Sequence, residues 1–213
     1  SLRQSRSRAR SQEMIILDME QGSDEWLAAR LGKPSASNFS KLITTKGEPS
    51  KSAGKYITDL VAERLSGEVT SFYTNDHMAR GTLLEPEARS AYEFITDSEV
   101  LEVGFIVHKS FEYGCSPDGL VGTEGGVEIK CPAASTMVGY YEKPASLVTA
   151  YYQQIQGCIW LTGREWWDAF AYHPTMAKHV LVRVERNDEF IEKLAAEVEA
   201  AVTEIKNQVE KYQ

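Results

Sequence analysis

A chain of 213 residues, 42% hydrophobic and 25% charged, is long enough to bury the core of one domain and has a globular composition, which excludes disordered and collagen-like classes. The formal charge of −8, from 23 basic and 31 acidic residues, argues against a nucleic-acid partner when taken alone. No apolar stretch approaches the roughly 20 residues that span a bilayer. Three cysteines (Cys115, Cys131, Cys158) without a Cys-x-x-Cys pair argue against a disulfide scaffold or structural zinc and for a reducing, cytoplasmic setting.

In chain order, residues 1–13 hold four arginines, one glutamate and two apolar residues ahead of Met14. They read as an expression leader, disordered or solvent-exposed, with a basic arm for nucleic acid as the alternative. Without them, 19 basic and 30 acidic residues give a net charge of −11. Residues 14–213 read as a single domain with no internal repeat or long linker. Ser23, followed by Asp24 and Glu25, caps a helix that places Trp26, Leu27 and Leu31 at helical spacing. Residues 35–43 predict a second short helix, and 44–54, rich in Lys, Gly, Ser and Pro, a mobile loop. Two further helices follow over 56–65 and 75–95, the second carrying Gly81 and Pro86 as potential breaks. Alternation then predicts a strand over 99–108, a turn at Ser116-Pro117-Asp118-Gly119, and a hairpin pairing 119–121 with 126–131. A helix over 149–161, strands over 166–172 and 180–185, and an amphipathic helix over 188–209 complete the chain. Phe190, Leu194, Val198, Ala201, Ile205 and Val209 form the apolar stripe of that last helix. Helices around a central mixed β-sheet make the fold class α/β (α+β).

The chemistry concentrates at Asp118 and, after nine intervening residues, at Glu128-Ile129-Lys130. Residues two apart on a strand share a face, so Glu128 and Lys130 point together while Ile129 turns into the core. The hairpin returns Asp118 to Glu128, and two carboxylates and one ammonium converge. Such hard oxygen donors suit Mg²⁺ or Mn²⁺, with the Ile129 backbone carbonyl as a further ligand. A lysine alongside can orient a water nucleophile or stabilise charge developing on a phosphate, which is the chemistry of metal-assisted phosphodiester hydrolysis. Taken without context, the same residues also fit a Pro-Asp-Gly turn and a surface ion pair.

Context separates the two readings. Pro117-Asp118 with Glu128-Ile129-Lys130 resembles the PD-(D/E)xK nuclease signature. Gly81-Thr-Leu-Leu-Glu85-Pro-Glu lies upstream, Cys115 and Cys131 flank the site, and Tyr151-Tyr-Gln-Gln154-Ile-Gln156 follows. This order and wording resemble the lambda exonuclease, or YqaJ-type, viral recombinase family from about residue 20 to 172. The resemblance implies a restriction-endonuclease-like core and a Mg²⁺-dependent 5′→3′ exonuclease on linear double-stranded DNA. Such an enzyme releases mononucleotides and leaves 3′ single-stranded DNA for recombination by strand annealing. It also implies two ions per active site, with Mn²⁺ able to substitute. Asp118 and Glu128 would bind metal, Lys130 would serve the nucleophilic water, and Glu85 would lie in the outer surroundings of the second ion. Gln154 would place that water or a phosphate. Gln156 competes for this role, but its two-residue offset on a helix aims it elsewhere.

Arg30 and Ser37 match the family's Trp…Arg-Leu-Gly…Ser stretch, here Trp26 to Ser37, and would hold the 5′ phosphate. A helix start at 35–37 presents backbone amides, and Arg30 adds a planar fork for phosphate oxygens. Arg30 equally fits a helix C-terminal arginine facing the macrodipole. Met78, seven residues before Glu85, shares its face if the helix is unbroken, and reads either as a strand-separating wedge or as core. Lys41, Lys46, Lys51 and Lys55 are candidate contacts to the DNA backbone. His77, His108, His173 and His179 lack metal-ligand spacing, and Trp160, Trp166 and Trp167 read as core. The resemblance further implies a homotrimeric ring, whose enclosure of DNA eases the negative charge, a single-strand annealing protein as partner, and a phage or prophage origin in a bacterial cell. Two rivals stand beside this reading. Another PD-(D/E)xK DNA endonuclease would need a basic base-reading element, and none stands out. A non-catalytic DNA-end-binding protein would not need the complete Asp, Glu and Lys set.

Overall fold

β-Branched and aromatic residues concentrate in the middle of the chain, and most of the strands form there. The computed structural model describes residues 14–69 and 76–213, the side chains of 76–80 excepted. The leader reading of residues 1–13 and the side chain of Met78 therefore lie outside the described residues. Two sheets are present among them. The smaller is antiparallel, in the order β1 (Met14–Leu17), β3 (Phe105–His108), β4 (Gly114–Cys115). The larger runs β2 (Val100–Leu101), β5 (Gly119–Val121), β6 (Gly125–Lys130), β7 (Trp166–Ala171), β8 (Val180–Glu185). Its β6–β7 pair is parallel and the others are antiparallel, so it is a mixed sheet. The expected hairpin is present, with Gly119 opposite Val127 and Val121 opposite Gly125.

The helices are α1 (Asp24–Arg30), α2 (Ala53–Ser66), α3 (Asp76–Thr96), α4 (Ala134–Glu142), α5 (Ala145–Thr162) and α6 (Asp188–Tyr212). Ser23 caps α1 by accepting from the Trp26 amide at 3.2 Å, with two acids in the first turn and Arg30 in the last. Asn187 does the same for α6 through the Phe190 amide. Of the α6 stripe, Phe190, Leu194, Val198, Ala201 and Ile205 are buried, and Val209 packs at its edge. A parallel pair needs a crossover, and here α4 and α5 supply it. The α5 helix therefore passes over the face of the sheet onto which Glu128 and Lys130 open. Trp167, Ala169 and Ala171 share that face with the core of α2, α5 and α6, while Val127, Ile129, Phe170 and Tyr172 meet Ala88 and Tyr92 of α3 on the other.

Three local expectations are corrected. Residues 99–108 are not one strand but two, β2 and β3, in different sheets. The break falls beside Gly104, where a Cβ would come 2.3 Å from the Met19 carbonyl oxygen; the main chain there packs directly against β1's continuation. Residues 35–43 hold a 3₁₀ turn, Ala36–Lys41, rather than an α-helix. The 44–54 segment, expected to be mobile, is tied down by bonds from the Thr44 amide to the Glu48 carbonyl and from the Ser50 amide to the Leu42 carbonyl, beside an Ile43–Pro49 bridge. The α3 helix runs through Gly81 and Pro86 without a stop. Among the described residues, no helix is long and apolar enough to cross a membrane.

Candidate active site

Asp118 stands on the link from β4 to β5, and Glu128 and Lys130 on β6. The Ile129 amide donates to Asp118 Oδ2 at 2.7 Å, so the carboxylate takes the place of a strand partner just past the last β5–β6 pair. The Ile129 carbonyl leaves the same edge of β6, away from β7, to which the neighbouring Lys130 carbonyl turns to accept from the Tyr172 amide. Glu128 is 1% exposed. Its Oε1 accepts from Lys130 Nζ at 2.6 Å and from Gln154 Nε2 at 2.7 Å. Its Oε2 is buried with no hydrogen-bond partner, and the Asp118 carboxyl lies close enough for the two acids to act on each other's ionisation.

Two acids in this position cannot both ionise cheaply. Burial, then the Asp118 charge, push the Glu128 carboxyl up to about 8. Burial also raises Asp118, against the pull of Lys130 and the Ile129 amide. Burial acts the other way on Lys130, but the Glu128 and Asp118 carboxylates more than offset it and hold the ammonium above its usual value. Glu85, on α3, is pushed up to about 7 by burial and by Asp118, with Arg89 opposing. It is bonded to Arg89 Nη2 at 2.6 Å, and Arg89 also reaches Glu102 at 3.0 Å.

A carboxylate pair, half-buried Asp118 and buried Glu128, with one orphaned oxygen and an adjacent main-chain carbonyl is a donor set for a small, hard divalent cation. Among the described residues no three Asp, Glu, His or Cys side chains gather into a ligand group. The donors that fit are Asp118, Glu128 and the Ile129 carbonyl, while Glu85, close enough to feel the Asp118 charge, is paired with Arg89.

A cavity of about 710 Å³ opens over this cluster and extends to Arg30, Ser35 and Ser37. Arg30 is half-buried in the last turn of α1, with its guanidinium 4.0 Å from the Trp26 ring centroid. Its Nη2 donates to Ser35 Oγ at 3.2 Å and to Ser37 Oγ at 3.3 Å. The 3₁₀ turn has replaced the expected α-helical N-terminus, so hydroxyl oxygens rather than a row of helix amides surround the arginine. The turn itself is pressed onto α5 at Gly157, where a Cβ would come 2.6 Å from the Phe39 ring. Two contacts join this end of the cavity to the other: Trp26 Nε1 donates to Ser116 Oγ at 2.9 Å, and Gln21 Nε2 to the Pro117 carbonyl at 2.9 Å.

Asp118, Glu128, Lys130, Gln154, Arg30 and Ser37 are therefore brought to one cavity. Gln156 is not; it is buried and binds the Glu185 carbonyl and the Asn187 amide. Lys41 lines the cavity with its ammonium 5.0 Å from the Tyr56 ring centroid, Lys55 pairs with Asp59, and Lys46 and Lys51 are exposed. Sequence reasoning missed Ser116, Trp26, Gln21 and Arg89 as parts of the site. Ser116 was within reach, since it lies inside the Ser-Pro-Asp motif. The others act through tertiary contacts that no local pattern announces.

The YqaJ-like viral recombinase domain matches residues 25–165, more than half of the chain. An alkaline exonuclease (LHK-Exo) from Laribacter hongkongensis is 35% identical, and its crystal structure matches with a TM-score of 0.78 over 89% of this chain and 96% of that one. The structure of LHK-Exo in complex with dAMP matches at 36% identity with the same TM-score. A phage-related exonuclease from Haemophilus somnus 129PT, 15% identical, shares the fold with a TM-score of 0.72 over 85% of this chain and 96% of that one. No curated protein sequence matches the chain. With the Asp-Glu-Lys cluster in place on the mixed sheet, the chain belongs to the YqaJ-like viral recombinase family.

Proposed function

We propose that this chain is a Mg²⁺-dependent 5′→3′ exonuclease that digests linear double-stranded DNA, releases mononucleotides and leaves a 3′ single strand. The observation that carries the reading is the single cavity in which the Asp118–Glu128–Lys130 cluster lies beside the Arg30–Ser35–Ser37 cluster. One end suits a hard cation and the other a terminal phosphate. The LHK-Exo relative is an exonuclease and binds dAMP, a 5′-mononucleotide of the product class this reaction needs.

Asp118, Glu128 and the Ile129 carbonyl would hold the first of two ions, with Glu85 beside the second, outside its direct ligands. When bound, Mg²⁺ or a substituting Mn²⁺ would supply Lewis acidity to the phosphate and to the attacking water. Lys130 donates to that water or to a phosphate oxygen as negative charge grows on it. Gln154, held against Glu128, keeps the carboxylate oriented and offers its amide to the same water. Arg30 and the two serines grip the terminal phosphate and set which bond lies over the carboxylates. From the family resemblance the reading also carries a homotrimeric ring, tested by sedimentation equilibrium at three times the chain mass, and a single-strand annealing protein on the 3′ strand.

The deciding assay is release of acid-soluble nucleotide from 5′-phosphorylated linear duplex with Mg²⁺ and with EDTA. Metal-dependent release with closed circular duplex untouched supports the exonuclease. Cleavage of the circle would indicate an endonuclease on the same core, and end binding without release a non-catalytic protein. Gln154→Leu should slow release by roughly ten- to a hundredfold, the usual loss when a partner that orients a metal ligand is removed, without moving the thermal unfolding midpoint by more than a few degrees.

The metal-free protein should lose stability as pH rises. Glu128 and Glu85 titrate near 8 and 7 in the folded state, above the roughly 4.3 of an unfolded glutamate. Between those values the folded state binds more protons than the unfolded chain, so stability falls as pH rises through the window and levels off above about 8. In EDTA the unfolding midpoint should drop by roughly 4–8 °C from about pH 5.5 to 8.5, the shift that ~2 kcal/mol makes in a chain of this size. Glu128→Gln should flatten most of that slope, and an equal slope in the variant would assign it to other groups.

A further inference from the structure

Lys130 has a second partner besides Glu128. The Tyr151 ring lies against its ammonium, with Nζ 4.3 Å from the ring centroid, inside the roughly 6 Å over which a cation and an aromatic face attract. Tyr151 reaches that place through a local departure from helix geometry. Its φ of −126° and ψ of 17° are non-helical and divide α5 into two segments. Neither proline nor glycine stands at the bend. Two residues earlier, the Thr149 hydroxyl donates to the Ala145 carbonyl at 3.0 Å, a back-bond of the kind that bends helices. The buried Tyr140 of α4 lies near the Tyr151 phenol. The kink thus sets where the ring lies, with α4 beside it.

Metal binding weakens the ion pair that holds Lys130 to Glu128. A divalent cation on Glu128 takes up the carboxylate's charge and repels an ammonium beside it. The attraction of the aromatic face survives, because it comes from the ring's own quadrupole. We infer that Tyr151 is a positioning residue for Lys130: its ring, set in place by the kink in α5, keeps the ammonium aimed into the cavity once Glu128 is engaged by metal. This rests on the proposed function, in which Lys130 serves the attacked phosphate or the water.

Two measurements test it. In NMR spectra of ¹³C-lysine-labelled protein, the Lys130 ε-methylene signal, identified by its loss in Lys130→Arg, should be shifted upfield by the ring. The shift should persist with Mg²⁺ and in Tyr151→Phe, and vanish in Tyr151→Leu. In the nuclease assay Tyr151→Leu should lower kcat by about tenfold or more with KM for linear duplex within about twofold, and Tyr151→Phe should recover the rate to within about threefold. An unshifted Lys130 signal in the wild type, a wild-type kcat in Tyr151→Leu, or a Tyr151→Phe variant as slow as Tyr151→Leu each overturns the inference. If Tyr151→Leu does not fold, the wild-type signal and the Tyr151→Phe rate still decide. Absence of nucleotide release by the wild type itself would instead overturn the proposed function.

Discussion

Asp118→Ala, Glu128→Ala and Lys130→Ala should each cut nucleotide release from linear duplex by about 10³-fold or more, the upper range for loss of one electrostatic contact to the reacting atoms. The three should differ in stability. Glu128→Ala removes a carboxyl that burial and Asp118 hold at about 8, and leaves Asp118 without a rival for Lys130. Asp118→Ala strips the Ile129 amide of its acceptor at 2.7 Å, which costs ~1–3 kcal/mol if no water replaces it. Lys130→Ala leaves Glu128 with no counter-charge and drives it further toward the neutral form. Thermal unfolding in EDTA at about pH 8 should therefore rank Glu128→Ala at or above the wild type and the other two below it. Substantial activity in Lys130→Ala would remove the ammonium from the mechanism. An unfolded Asp118→Ala would make Asp118 chiefly a turn-forming residue.

Arg30→Ala should digest 5′-phosphorylated and 5′-hydroxyl ends at similar slow rates, whereas the wild type favours the phosphorylated end. On the proposed reading each cut would leave a new 5′ phosphate on the next nucleotide, so a pocket for that phosphate would be refilled at every step and would give the enzyme its direction. Arg30 brings a permanent charge and a planar fork, already set against two hydroxyls and an indole. Its loss removes ~1.5–3 kcal/mol, or roughly ten- to a hundredfold in rate on phosphorylated ends. Rates on the two kinds of end, measured side by side, check this. A variant that kept the wild-type preference would return Arg30 to a helix-capping role and move the phosphate site toward Lys41.

The convergence of Asp118, Glu128 and Lys130 was legible because it follows from two short-range rules, alternation along a strand and closure of a hairpin. The choice of Gln154 over Gln156 was legible for a similar reason, since two residues on a helix subtend a little over half a turn. The split of 99–108 was not, because Gly104 breaks the strand through a contact with Met19, more than eighty residues earlier. The β1 strand was missed because Met14–Leu17 is an apolar run without alternation, its middle residues facing solvent. The α4 helix was missed because Ala134–Glu142 mixes glycine, threonine and aromatics with no polar face. Trp26 and Gln21 have ordinary local explanations, and only the fold shows that their polar ends reach Ser116 and Pro117.

Those two reaches have a mechanical side. The chain leaves the smaller sheet after Cys115 and joins the larger one at Gly119, so Asp118 lies on the seam between two separately hydrogen-bonded frameworks. Arg30 rides with the smaller framework through α1, and Glu128 and Lys130 belong to the larger. The separation between phosphate grip and carboxylates is therefore no rigid property of either sheet. It depends on what crosses the seam: the indole–hydroxyl bond of Trp26, the amide–carbonyl bond of Gln21, and the core that Ile106 and Cys115 share with Leu120 and Trp167. Hydrogen exchange at the Ile129 amide, whose acceptor is Asp118 itself, reads how often that seam opens.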